Sequence, residues 1–118
     1  MSPEDLCDRT FRFACDAYDF CQDLWQLPGM ARRIAYQLFD AAGSVGANRE
    51  EAKAAHSRRD FAAKTAISLR ECRESMFWLR LADAKSLGRV DRRKKLLKES
   101  EELIAIFTTM IKRTNDKS

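Results

Sequence analysis

The sequence predicts an all-α protein, an up-down-up-down four-helix bundle formed by one domain over residues 1–118. Three observations carry that expectation. Hydrophobic residues make up 45% and charged residues 34% of the chain, a composition of helix-rich globules rather than disordered segments. Only four Gly and two Pro interrupt it, leaving room for few, long elements. Apolar residues recur at the 3.6-residue period in four blocks separated by short turn signals.

The first helix is expected over about 3–26. Ser2–Pro3–Glu4–Asp5 is a start signal: a Ser cap, Pro in the first turn and an acid three residues after the cap. Leu6, Thr10, Phe13, Ala14, Ala17, Cys21 and Leu24 form the inner stripe, and Phe11, Cys15 and Tyr18 a second one beside it. A helix with two apolar stripes should touch neighbours on two sides. Pro28–Gly29 stops it. The second helix, about 30–56, turns Ile34, Leu38, Ala41, Val45, Asn48, Ala52 and Ala55 inward. Gly43 and Gly46 within it mark either a close backbone approach or a local helix distortion.

The third helix, about 58–86, follows a tight turn at His56 and opens on the capping box Ser57–Arg58–Arg59–Asp60. Its inner face is Phe61, Thr65, Leu69, Cys72, Met76 and Leu79, and Leu87–Gly88 ends it, Gly supplying a left-handed stop. The fourth, about 91–114, is capped by Asp91 and carries Leu96, Leu97, Leu103, Ile104, Phe107 and Ile111. The tail TNDKS is expected to fray. No run approaches the ~20 apolar residues of a membrane span, and the acidic N-terminus has no apolar signal core. A cytoplasmic protein without a membrane partner is expected.

Catalytic and metal constellations do not assemble from this sequence. Cys7, Cys15, Cys21 and Cys72 form no CxxC pair, and His56 is the only histidine. Reduced thiols inside apolar stripes, with no metal and no cofactor, are the expectation. A di-metal bundle would need inward carboxylates and two Glu-x-x-His pairs; among Glu50, Glu51, Glu71 and Glu74 the single histidine stands at the wrong offset. Glu51 and Glu71 read as an interior acid pair or, more strongly, as part of a polar clasp. In that clasp Ser44, Asn48, Glu51, Ser68 and Glu71 fix helix two against helix three. Ser57 beside His56 is better explained as a cap than as a nucleophile. A non-enzyme is expected.

Charge and exposed apolar groups point to partners. Residues 1–27 hold six acids and two bases, whereas residues 28–118 hold twelve acids and twenty bases. The bundle topology brings Arg32 and Arg33 to the same end as Arg80, Lys85, Arg89, Arg92, Arg93, Lys94 and Lys95. Arg92 and Arg93 fall in the first turn of helix four, where the helix dipole disfavours cations by roughly 0.3–1 kcal/mol each. Phosphate groups of RNA or DNA would account for that choice, in a sequence-nonspecific way. No aromatic is interleaved with the run to stack bases, and a charge run also serves as a solvated face. The rival reading is a protein-interaction scaffold with no nucleic-acid role. Trp25, Phe77, Trp78 and Leu81 spread apolar surface beyond one stripe and read as a homo-oligomer interface.

The chain also resembles a known family. These are bacterial four-helix-bundle proteins, first noticed as reading frames within intervening sequences of large-subunit ribosomal RNA genes. The resemblance rests on Ser44, Val45, Asn48 and Glu51, then Phe61, then Ser68, Leu69 and Glu71, then Leu87–Gly88, and covers nearly the whole chain. Ala52 departs from the pattern, where many members have Gly. Members are similar to the accessory variability determinant of diversity-generating retroelements, a basic pentameric bundle that partners a reverse transcriptase and binds nucleic acid. The resemblance therefore implies a homopentamer, nucleic-acid contact and, by analogy alone, a reverse-transcriptase partner.

Overall fold

Apolar periodicity becomes four antiparallel helices: α1 (Pro3–Trp25), α2 (Ala31–Lys53), α3 (Arg58–Ala84) and α4 (Val90–Asp116). The structure, a computed structural model, describes residues 3–116, with side chains from Leu6 onward. The expected Ser2 cap lies outside the described residues. Sequential helices pack side by side, and α1 and α4 close the bundle at a looser seam. The extents of 49 × 21 × 20 Å correspond to a cross-section two helices wide in each direction. None of the described helices is long and apolar enough to cross a membrane.

The centre is filled by Phe13, Phe20, Leu24, Leu38, Val45, Cys72, Leu79, Leu96, Leu103 and Phe107, all essentially inaccessible to solvent. Burying such side chains stabilises the fold by roughly 1.5–3 kcal/mol each. Gly46 realises the close-approach reading. A Cβ there would stand 3.3 Å from the Thr10 carbonyl oxygen of α1, whereas one at Gly43 would meet nothing within 4 Å.

The helix ends differ from expectation in instructive ways. Helix α2 stops at Lys53, short of His56, because the chain needs Ala54–His56 to reverse. Ser57 then adopts an extended backbone and its hydroxyl accepts the Asp60 N–H at 3.0 Å, the expected cap. At the far end of α3 the left-handed residue that closes the helix is Ser86, with φ 54°; Gly88 is left-handed too, but stands two residues further on. The Ser86 N–H donates to the Asp83 carbonyl and the Leu87 N–H to the Ala82 carbonyl, the paired bonds of a Schellman end. Gly88 serves another purpose: at φ +71° any Cβ would come 2.6 Å from Phe20 Cε1. Helix α4 begins one residue before Asp91, which sits inside the first turn and pairs with Arg89 instead of capping. The helix continues to Asp116, so Thr114–Asp116 of the tail are helical rather than frayed.

Candidate nucleic-acid interface and apolar surface

Topology does bring the basic residues to one end of the bundle, but most of them are occupied there. Arg93 is buried, 6% exposed. Its Nε donates to Asp83 Oδ1 at 2.6 Å, and its Nη1 donates to the carbonyls of Leu87 at 2.7 Å and Gly88 at 3.2 Å. Lys94 Nζ takes the other Asp83 oxygen at 3.0 Å. The hydrogen bond from Arg93, with that from Lys94, holds the Asp83 carboxyl below the usual carboxylate range. Arg92 forks onto Asp23 of α1 at 3.0 and 3.1 Å and reaches the Asp19 carbonyl at 3.3 Å. Lys95 pairs with Asp16 at 3.3 Å, and Arg89 with Asp91 at 3.0 Å.

The α1–α4 seam is therefore closed by charge. Asp16, Asp19 and Asp23 form an acidic stripe on α1 that receives Arg92 and Lys95 from α4. Nearer the other end, Arg9 of α1 forks onto Glu99 of α4. The first-turn cations of α4, which the sequence matched to phosphate, therefore have anions within the chain. Their anions are the acids of α1 and Asp83, and the acidic bias of residues 1–27 supplies much of that partnership. Arg93 in particular is a structural tie and not a surface contact.

Arg32 and Arg33 differ. Neither forms an ion pair among the described residues. Arg32 Nε donates to the Trp25 carbonyl at 2.9 Å, and its guanidinium lies 5.2 Å from the centroid of the Trp25 ring. Both arginines occupy the start of α2, whose first turn carries no acid. With Trp25, Tyr36 and Gln37 they line an open groove of about 370 Å³. Aromatic rings thus do stand among cations without an acid partner, where the end of α1 meets the start of α2 rather than in the α4 run.

The polar clasp is only partly assembled. Ser68 Oγ of α3 donates to the Val45 carbonyl of α2 at 2.9 Å, a bond between helices. Asn48 Nδ2 donates to the Ser44 carbonyl and hydroxyl, at 2.9 and 3.1 Å, within α2. Glu51 is exposed and forms no interior pair with Glu71. Glu71 is half-buried, 3.7 Å from Arg70, and desolvation, with Glu74 adding to it, raises its carboxyl above the ordinary range. Inward polarity here is carried instead by Thr10, Thr65, Ser68, Ser75 and Ser100. Apart from Ser68, their hydroxyls return to carbonyls of their own helix.

Apolar surface falls into two patches. On α3, exposed Phe77 meets Trp78 edge-on at 5.1 Å, with half-buried Leu81 one turn further on. On α1, Phe11, Tyr18 and Trp25 recur every seven residues and all are exposed. Tyr18 meets exposed Phe39 of α2 edge-on at 5.8 Å. Trp25 belongs to this side, apart from the other three candidate interface residues.

Comparison with known proteins gives these surfaces a context. Residues 5–109 match the family described as 23S rRNA-intervening sequence protein. The chain belongs to that family. Among solved structures, a crystal structure of a protein of unknown function from the S23 ribosomal protein family of Bacteroides thetaiotaomicron superposes with a TM-score of 0.83. It is 25% identical, and the alignment covers 95% of this chain and 99% of that one. No curated protein matches.

Within this intervening-sequence protein, three features went unread in the sequence. Tyr36 lies one turn beyond Arg32 and Arg33, a spacing visible in sequence once their shared face is known. The acids Asp16, Asp19, Asp23 and Asp83 give no signal until α1 and α3 are placed against α4. Arg49 occupies an apolar position of α2: it is 3% exposed, and its Nε and Nη1 are buried without hydrogen-bond partners.

Proposed function

We propose that this chain is a non-enzymatic, homo-oligomeric bundle that contacts RNA or DNA through the basic surface at the start of α2. The observation that carries this reading is the contrast between Arg32–Arg33, which have no intramolecular acid among the described residues, and the α4 cations, which do. Unneutralised guanidinium groups at a helix start, where the dipole is unfavourable, are suited to phosphate. The non-enzymatic part is supported by the use of Ser57 as a cap and by the exposed, separate position of Glu51. Oligomerisation is supported by two apolar patches on different helices, Phe77–Trp78–Leu81 and Phe11–Tyr18. Two unlike patches suit head-to-tail association, which closes into rings such as the implied pentamer.

Fluorescence anisotropy with labelled RNA and DNA at ~50 and ~200 mM salt tests the first part. Arg33→Ala should weaken binding, whereas Arg92→Ala should leave it near wild type. Absent binding at ~50 mM salt, or a signal indifferent to salt, overturns the reading. Sedimentation tests the second part: a species of 13.6 kDa is a monomer and would refute assembly. Phe77→Glu should dissociate it. The scaffold reading is favoured by the seven-residue spacing of Phe11, Tyr18 and Trp25, which matches a partner helix. It predicts that charge reversal at Arg32 and Arg33 leaves partner capture unchanged.

A further inference from the structure

Resting on the nucleic-acid reading above, we infer that the groove of Trp25, Arg32, Arg33, Tyr36 and Gln37 takes single-stranded nucleic acid, with unstacked bases on its aromatic rings. A solvated cationic face would explain two arginines, but not two large aromatic rings beside them. Tyr36 is 67% and Trp25 44% exposed, so both rings are open to a partner. Trp25 is fixed at the end of α1, with its carbonyl bonded to Arg32 Nε at 2.9 Å. Tyr36 stands on the regular backbone of α2.

The groove's chemistry selects within nucleic acids. Its volume of about 370 Å³ is open on one side, so it suits a segment of a strand rather than an enclosed small ligand. A duplex keeps its base faces inside the stack and presents only phosphates, sugars and groove edges to such a surface. A single strand offers a base face for Tyr36 or Trp25 and, one bond network away, a phosphate for Arg33. Gln37 adds an amide that donates and accepts, compatible with a base edge. Stacking of this kind tolerates any base, so preference for strandedness without sequence preference follows.

The test compares a labelled single-stranded 12-mer of oligo-U or oligo-dT with a 12-bp duplex, by anisotropy on the full chain. The single strand should bind at least tenfold more tightly, and Tyr36→Ala should cost roughly five- to 150-fold, the range for loss of one stacked base. Base stacking should also quench Trp25 emission; the quench should persist in Trp78→Phe and vanish in Trp25→Phe. Equal affinity for single strand and duplex, lost with Arg33→Ala but indifferent to Tyr36→Ala, overturns the stacking inference and leaves general nucleic-acid contact standing. No binding of any nucleic acid at ~50 mM salt removes the underlying reading instead. Dissociation of an assembly by Tyr36→Ala would assign the groove to a subunit interface and overturn the inference.

Discussion

Arg93 Nε donates to Asp83 Oδ1 at 2.6 Å, and through that bond the start of α4 is tied to the end of α3. The same guanidinium satisfies the carbonyls of Leu87 and Gly88, so one buried side chain orders the whole connection. Removing it takes that donor from both carbonyls and leaves the Asp83 carboxylate to Lys94 alone. Arg93→Met should lower unfolding stability by about 2–3 kcal/mol, given what charged hydrogen bonds contribute. Lys94→Met, on an exposed partner of the same acid, should cost under about 1 kcal/mol. Urea unfolding of the two variants decides it, and equal midpoints would refute the tie.

Asp83 makes stability depend on acid. Its folded carboxyl is held below the ordinary range, first by Arg93 and then by Lys94. A depressed carboxyl contributes stability that is complete above the unfolded value of about 3.9 and is lost as pH falls through the folded value. Wild type should therefore exceed Asp83→Asn in stability near neutral pH, with the gap closing below about pH 4. A gap that stays constant down to about pH 2 would show that the charge of Asp83 contributes nothing.

Ser86 holds φ 54° at the Schellman end of α3, a conformation that costs a residue with a Cβ roughly 1–2 kcal/mol. Ser86→Gly should raise stability by about 1 kcal/mol and the melting temperature by a few degrees. Gly88→Ala, two residues on, should do the reverse, because its Cβ would press on Phe20.

That connection also shows what a sequence can and cannot disclose. Helix number, order and inner stripes follow from local periodicity, which is why Phe13, Leu38, Leu79 and Leu103 appear where the pattern puts them. Ser57 was legible because a cap acts within three residues. Partners across helices were not. Arg92 against the α4 dipole looks like a vacancy for phosphate until Asp23, 69 positions earlier, arrives beside it. Glu51 has the spacing of an inward residue yet is exposed, since α2 is ending and Ala52 takes the inner position. Arg32 and Arg33 were legible as a basic pair, whereas the aromatic wall beside them required the α1–α2 packing.

Arg49 is a second place where a charge meets the interior, this time without an acid partner among the described residues. Its Nε and Nη1 have no partner, and its guanidinium sits 6.0 Å from the Phe61 ring. An unsatisfied buried donor costs about 1–3 kcal/mol, which a cation–π contact offsets only in part. Arg49→Leu should therefore stabilise the fold by about 1 kcal/mol in chemical unfolding. A loss of stability would show that the Phe61 contact and the packed aliphatic stem outweigh the unsatisfied donors.

The thiols give a final test of how tightly α1, α2 and α3 are packed. Cys21 and Cys72 are buried, and burial pushes each up to about 12, with nearby Glu99 adding to the shift at Cys72. Cys21 also donates to the Ala35 carbonyl at 3.3 Å, tying α1 to α2. The thiolate is the reactive form, so both sites stay almost wholly protonated near pH 8 and react slowly. Cys7 is buried as well, whereas Cys15 is exposed. Iodoacetamide should accordingly modify Cys15 in the native protein and all four thiols after denaturation, as read by intact mass. Labelling of Cys21 or Cys72 at rates near that of Cys15 would require the α1–α2–α3 packing to open locally, at a free energy far below that of global unfolding.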